Sequence, residues 1–136
     1  MMEEILMELE GRILEIANQG AEFQGQVESL RKSETGSLAA DVVTKADYWV
    51  QRELLQCFAS TPLLGCQLVA EESSAELNPL MDRFAPKADF QLLIDPIDGT
   101  KRFLEGLPYF STIVSLRHQQ HCLYTFCYYP KLNWWI

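Results

Sequence analysis

The chain has 136 residues, 48% of them apolar, and a formal net charge of −8. That length suits one domain with a real core and falls short of two ordinary ones. The acidic balance argues against nucleic-acid binding, which needs a basic face, and no apolar run approaches the length of a membrane span. From Glu3 to about Leu30, apolar residues recur at Ile5, Leu6, Leu9, Ile13, Ile16, Ala17, Phe23, Val27 and Leu30. This near-3.6 period predicts one long amphipathic helix, weakened in its second half by Gly20 and Gly25. "KSETGSLAAD" carries no period and reads as an exposed loop. A second helix is predicted from Thr44, with Thr44 as N-cap and Asp47 three residues on in a near capping box. Val50, Leu54, Leu55 and Phe58 form its apolar stripe, and "STPLLG" ends it.

Four strand candidates follow: Cys66 to Ala70, Phe90 to Ile94, Phe110 to His118 and His121 to Tyr129. The last two form a hairpin across Gln119-Gln120, although the favoured Asn-Gly turn is absent. The segment "SSAELNPLMDRFAPKAD" connects the first two and has room for one helical turn. "MMEEILMELEGR" is acidic and helical in pattern, which does not suit a secretory signal. Cys57, Cys66, Cys122 and Cys127 lack CxxC spacing and a zinc-type histidine pattern. They read as reduced thiols, so a cytoplasmic location is expected.

Two strands end in acid. Glu71-Glu72 closes one, and Asp95 and Asp98 close the next within "LLIDPIDGT". If these strands are neighbours with level ends, several carboxylates meet in a small volume. Such a cluster is unfavourable without divalent cations, and oxygen donors suit hard ions such as Mg²⁺. Pro96 fixes a backbone angle that can aim the Ile97 carbonyl at a metal. Gly99 permits close backbone approach. A helix beginning near Thr100 would offer N–H groups at Gly99 and Thr100 to a phosphate. Cations with phosphate point to metal-assisted hydrolysis of a phosphate ester.

"DPIDGT", preceded by "AEES" and "DVVTKAD", resembles the inositol monophosphatase superfamily of Mg²⁺-dependent, lithium-sensitive phosphatases. The motifs occur in the family's order and cover the chain from about Ala39 to the hairpin. The resemblance implies an α+β fold: two N-terminal helices on a mainly antiparallel sheet, as in the front half of a layered αβαβα architecture. It implies that Glu71, Asp95 and the Ile97 carbonyl bind a first metal, and Asp95 and Asp98 a second. Gly99 and Thr100 would receive the phosphate. Asp47 and Thr100 would orient the attacking water, with Glu71 as its proton acceptor. The substrate would be a small phosphorylated metabolite. Lys101 after the threonine is a variant also found in the histidinol-phosphate and 3′(2′),5′-bisphosphate nucleotide members. Homodimers are common in the family.

Family members are about twice as long, and their second half brings a W-D-x-A-x-G motif that this sequence lacks. The expectation is therefore a single domain, 1–136, equivalent to an N-terminal half: a truncated gene product, part of a split enzyme, or a deliberately shortened chain. A complementing C-terminal half is then an expected partner, and Trp134-Trp135 reads as a strand left uncovered.

Local alternatives stand beside these roles. Asp47 suits a helix cap, Glu71-Glu72 a solvated strand end, and Asp95 and Asp98 a turn. Lys101 and Arg102 suit solvated bases, and His118 and His121 flank a turn. Two rival chemistries fail on spacing. A haloacid-dehalogenase-type site needs aspartates two apart, but Pro96 stands two before Asp98. An EF-hand counted from Asp95 needs glutamate twelfth, where Gly106 stands. A non-catalytic protein that retains a partial metal–phosphate site is the remaining rival.

Overall fold

The computed structural model describes residues 1–32 and 36–136, with side chains outside 28–39. The N-terminal apolar pattern folds as three helical segments rather than one: α1 (Met2–Glu8), α2 (Glu10–Ala21) and α3 (Phe23–Lys32), with breaks at Leu9 and Glu22. A small residue brings α2 close to the long helix that follows α3. A Cβ on Gly20 would lie 2.3 Å from Val50 Cγ2, so the close approach of the two helices at that point needs glycine.

That next helix, α4 (Gly36–Ala59), is 24 residues long and starts well before Thr44. The expected loop is therefore helical from Gly36 onward, while residues 33–35 lie outside the described residues. Its buried stripe runs Val42, Val43, Ala46, Val50, Leu54, Leu55 and Phe58, so core packing carries the helix past the predicted start. Thr44 is mid-helix and donates its hydroxyl to the Ala40 carbonyl (3.1 Å). Asp47 is consequently not a capping-box residue.

After a 3₁₀ turn at Pro62–Gly65, the chain forms β1 (Gln67–Ala70), α5 (Asn78–Met81), β2 (Phe90–Asp98), α6 (Thr100–Leu104), β3 (Ser111–His118), β4 (His121–Tyr129) and β5 (Trp134–Trp135). These strands make one five-stranded sheet in the order β1-β2-β3-β4-β5. β1 and β2 are parallel and the other pairs antiparallel, so the sheet is mainly antiparallel as expected. The hairpin turn is as predicted, but Gln119 and Gln120 both take positive φ (50° and 73°). The two-residue connection imposes that conformation, which Asn-Gly would adopt at lower cost.

The helices cover one face of the sheet. Leu6, Ile13, Ile16, Leu54, Leu55 and Phe58 pack on Leu92, Ile94, Val114, Leu116, Phe126 and Tyr128. Tyr124 and Tyr128 donate their hydroxyls to Glu10 and Asn18 and tie β4 to α2. A second apolar cluster joins Val42, Val43 and Ala46 of α4 to Ile97, Phe103 and Phe110. Phe103 and Phe110 meet edge to face, 4.7 Å between centroids. On the opposite sheet face, Val69 and Leu123 are each 43% exposed. A shallow cavity of about 320 Å³ lies there, lined by Val69, Leu93, Ile113 and Ser115 together with Glu71 and Asp95. Among the described residues no helix is long and apolar enough to cross a membrane.

Candidate active site

Three elements deliver the acidic residues to one corner. The parallel register pairs Ala70 with Ile94, so Glu71 and Asp95 leave adjacent strands at the same level. The Glu71 N–H extends the pairing by donating to the Ile94 carbonyl (3.3 Å). Asp47 reaches the same corner from α4.

β2 does not stop at Asp95 but continues to Asp98 through a bulge. Asp95 pairs with Ile113 and Asp98 with Ser111, which leaves one extra residue on β2. Pro96 suits that place because a bulge needs no ladder donor from it. The Thr112 hydroxyl donates to the Pro96 carbonyl (2.8 Å) in a buried bond that fixes the bulge. Ile97 buries its side chain in the second apolar cluster, while Asp98 and Thr100 are exposed. Gly99 then turns the chain at φ 88°, where a Cβ would lie 2.9 Å from the Tyr109 carbonyl oxygen. Only glycine meets both conditions without strain. Thr100 opens α6, as predicted, and the other end of that helix is held by Gln24, whose Nε2 donates to the Phe103 and Leu107 carbonyls (3.2 and 2.9 Å).

The electrostatics of this corner are one-sided. Burial pushes the Asp47 carboxyl up to about 8, with further contributions from Glu72 and Glu71. Asp95 is also pushed up to about 8, first by burial, then by a side-chain hydrogen bond with Glu71 and the charges of Glu71, Asp98 and Asp47. Burial and the Glu71 charge raise Glu72 as well. No ion pair joins these carboxylates to a lysine or arginine among the described residues. Asp95 Oδ1 is buried without a hydrogen-bond partner.

An orphaned carboxylate oxygen among hard oxygen donors fits a divalent cation. No group of three or more His, Cys, Asp or Glu side chains is gathered as a ready cation site among the described residues, so a cation here would draw on the Glu71–Asp95 pair and on backbone oxygen. The expected convergence is thus one of mutual electric field, with Glu71 and Asp95 in side-chain contact.

The sequence matches the model of the inositol monophosphatase family over residues 2–133. The chain belongs to that family. No curated protein matches it in sequence. Solved structures with a similar fold include the extragenic suppressor protein SuhB of Bartonella henselae, with 18% identity and a TM-score of 0.61 over 90% of this chain and 43% of that one. Inositol monophosphatase II of Staphylococcus aureus gives 17% identity and a TM-score of 0.61, over 94% and 44%. The Thermotoga maritima IMPase is 27% identical over 66% of this chain and 31% of its own, with a TM-score of 0.54. The chain thus spans less than half the length of these structures.

The structure brings Asp47, Glu71, Asp95 and Asp98 within one another's electrostatic reach; Ile97 lies between the two aspartates, and Gly99 leads from Asp98 into Thr100 at the start of α6. His118 instead stacks on Phe90 (4.4 Å between centroids) and His121 is exposed at the hairpin. Lys101 and Arg102 are exposed on α6. The sequence reading missed Gln51 and Thr112, which act on backbone rather than ligand. Gln51 carried one local signal, its place one helical turn after Asp47.

Proposed function

We propose that this chain carries the cation- and phosphate-binding part of a Mg²⁺-dependent phosphomonoesterase acting on a small phosphorylated metabolite. The observation that carries this reading is the corner itself. Asp47, Glu71, Glu72, Asp95 and Asp98 share one field, Asp95 Oδ1 is buried and unpartnered, and a left-handed glycine turn opens a helix beside them. Glu71, Asp95 and the Ile97 carbonyl would hold one cation, and Asp95 with Asp98 a second. A bound divalent cation activates water and neutralises charge on a phosphoryl group.

The chain's own groups have distinct tasks in this reading. The N–H groups of Gly99 and Thr100 bind phosphate oxygens. The Thr100 hydroxyl and Asp47 orient the attacking water, and Glu71 accepts its proton. Inositol phosphate, histidinol phosphate and adenosine 3′,5′-bisphosphate are the substrates to compare.

The same reading includes a partner. The uncovered sheet face borders the Glu71–Asp95 pair through one cavity, and the similar structures carry more than half their length beyond the matched part. A polypeptide equivalent to that remainder would cover the face and close the site. A homodimer is the other outcome to look for.

The alternative reading is a non-catalytic protein that keeps a partial metal–phosphate site. One experiment separates the readings. The purified chain, with saturating Mg²⁺, should hydrolyse none of the three esters measurably. Adding a complementing half should restore lithium-sensitive turnover, which Asp98→Asn or Thr100→Ala should abolish. Failure of every complementing half to restore turnover would favour the non-catalytic role.

A further inference from the structure

Gln51 is fully buried on α4. Both ends of its amide bind the backbone of one residue on another element: Nε2 donates to the Glu72 carbonyl (2.6 Å), and the Glu72 N–H donates to Oε1 (3.1 Å). Nε2 also lies 3.7 Å from the Met81 sulfur. With donor and acceptor both used, the amide has one satisfactory orientation, because a flip would set donor against donor. The contact replaces a missing strand neighbour just where β1 ends.

Its position gives it a second consequence. Asp47 is one turn earlier on the same helix, so the two side chains share a face. The bond therefore spans the gap between the element that carries Asp47 and the corner that carries Glu71 and Glu72. Like charges across that gap push the elements apart. A two-point backbone tie opposes the push without using any carboxylate oxygen.

We infer that Gln51 is a positioning residue, which holds the Glu71–Glu72 corner at a fixed distance from α4 and so sets the cation affinity of the Glu71–Asp95 pair. The inference rests on the proposed metal role of this corner. A purely structural tie would affect stability and leave cation affinity alone. A positioning tie changes affinity in the folded protein, where displacing residues that orient ligands weakens binding by about 10-fold or more.

The test is a Mn²⁺ titration of the ¹⁵N-labelled chain, read by paramagnetic broadening of the Glu71 and Asp95 amides. The variants are Gln51→Met, which loses both bonds, and Gln51→Asn, which keeps the amide one methylene short. Leu63→Ala serves as a core control remote from the carboxylates. The expected result is broadening in the wild type, a requirement for about 10-fold more Mn²⁺ in both Gln51 variants, and an unchanged titration in Leu63→Ala despite its lower melting temperature. Faster exchange of the Glu72 amide should accompany the Gln51 changes. If Gln51→Met fails to fold, Gln51→Asn carries the comparison. Gln51 variants that titrate like the wild type, or a Leu63→Ala shift as large as theirs, would overturn the inference alone. Absence of broadening in the wild type would overturn the metal reading and the positioning role together.

Discussion

On the sheet face turned toward the helices, Leu92, Ile94, Val114, Leu116, Phe126 and Tyr128 are all buried. On the other face, Val69 and Leu123 are each 43% exposed, and Leu93 and Ile113 are partly exposed. The outer face is mixed: Val69, Leu93 and Ile113 share it with Gln91, Ser115, Arg117 and Thr125. On β2, Leu92 and Ile94 point inward, while Gln91, Leu93 and Asp95 point outward, so the apolar part of the outer face is the patch of Val69, Leu93 and Ile113 beside the acidic corner. The acidic corner lies at the end of both faces, so its surroundings depend on what each face packs against.

The largest expected effect separates the faces directly. Leu92→Ala empties a fully buried site and should destabilise the chain by about 3–4 kcal/mol. Leu93→Ala, one residue away on the outer face, should cost about 1 kcal/mol or less in the isolated chain. Urea unfolding of the two variants measures the difference. Equal losses would mean that the outer face is packed in solution. Repeating the measurement with a bound partner should raise the Leu93→Ala cost toward that of Leu92→Ala.

Next in size is the corner's backbone. Gly99→Ala forces a Cβ at φ 88° and to within 2.9 Å of the Tyr109 carbonyl oxygen. Left-handed geometry alone costs about 1–2 kcal/mol for a residue with a Cβ, and the contact with main chain adds to it. The loss in urea should therefore lie between those of the two leucine variants. A neutral Gly99→Ala would mean that the turn relaxes freely, and the phosphate cradle would lose its stated geometry.

Much of this was legible in the sequence where the physics is local. The β3–β4 hairpin followed from alternation and loop length, and the acidic strand ends from the abrupt switch at Ala70 and Ile94 to carboxylates. The parallel pairing of β1 with β2 made the predicted level ends real. What failed depends on distant partners. "GSLAAD" has too weak a pattern to announce a helix, yet Val42 and Val43 are buried against Ile97, Phe103 and Phe110 and draw it into α4. The break at Glu22 lies between Gly20 and Gly25, which weaken the helix locally, while the break at Leu9 has no proline or glycine at it. Thr44 and Asp47 matched a cap by spacing but sit inside the helix. Gln51 looked like an ordinary polar helix residue, because its partner Glu72 lies 21 residues away.

The field at the corner acts through pH. Asp47 and Asp95 bind protons up to about pH 8 in the folded chain, against an ordinary 3.8 in the unfolded one. The folded state therefore holds more protons between those values, and the unfolded state gains relative stability as pH rises. Without divalent cations, this contribution is fully present below about pH 4 and is lost progressively toward pH 8. Melting in EDTA should accordingly fall from pH 5 to pH 8, and Asp95→Asn should flatten the decline. Mg²⁺ should restore stability at pH 8 in the wild type by binding the ionised corner, and should do so poorly in Asp95→Asn. A decline of the same steepness in both proteins would place its origin elsewhere.

The smallest effect on stability belongs to the last strand and sharpens the contrast between faces. β5 has two residues, and Trp134 and Trp135 are 52% and 53% exposed. Trp134 meets Tyr129 with centroids 5.5 Å apart, and Trp135 meets Tyr128 at 6.3 Å. These ring contacts are partial, and the indoles remain half in water. Replacing both by serine should change unfolding free energy by about 1 kcal/mol or less. Association should respond far more. Exposed tryptophans beside an uncovered apolar face favour contact with another chain, and a two-residue edge strand offers little defence against pairing. Light scattering at rising concentration should detect self-association in the wild type and less of it in the double variant, with hydrophobic-dye binding falling in step. If the double variant instead unfolds readily, β5 belongs to the packed core, and the exposed side of this sheet ends at β4.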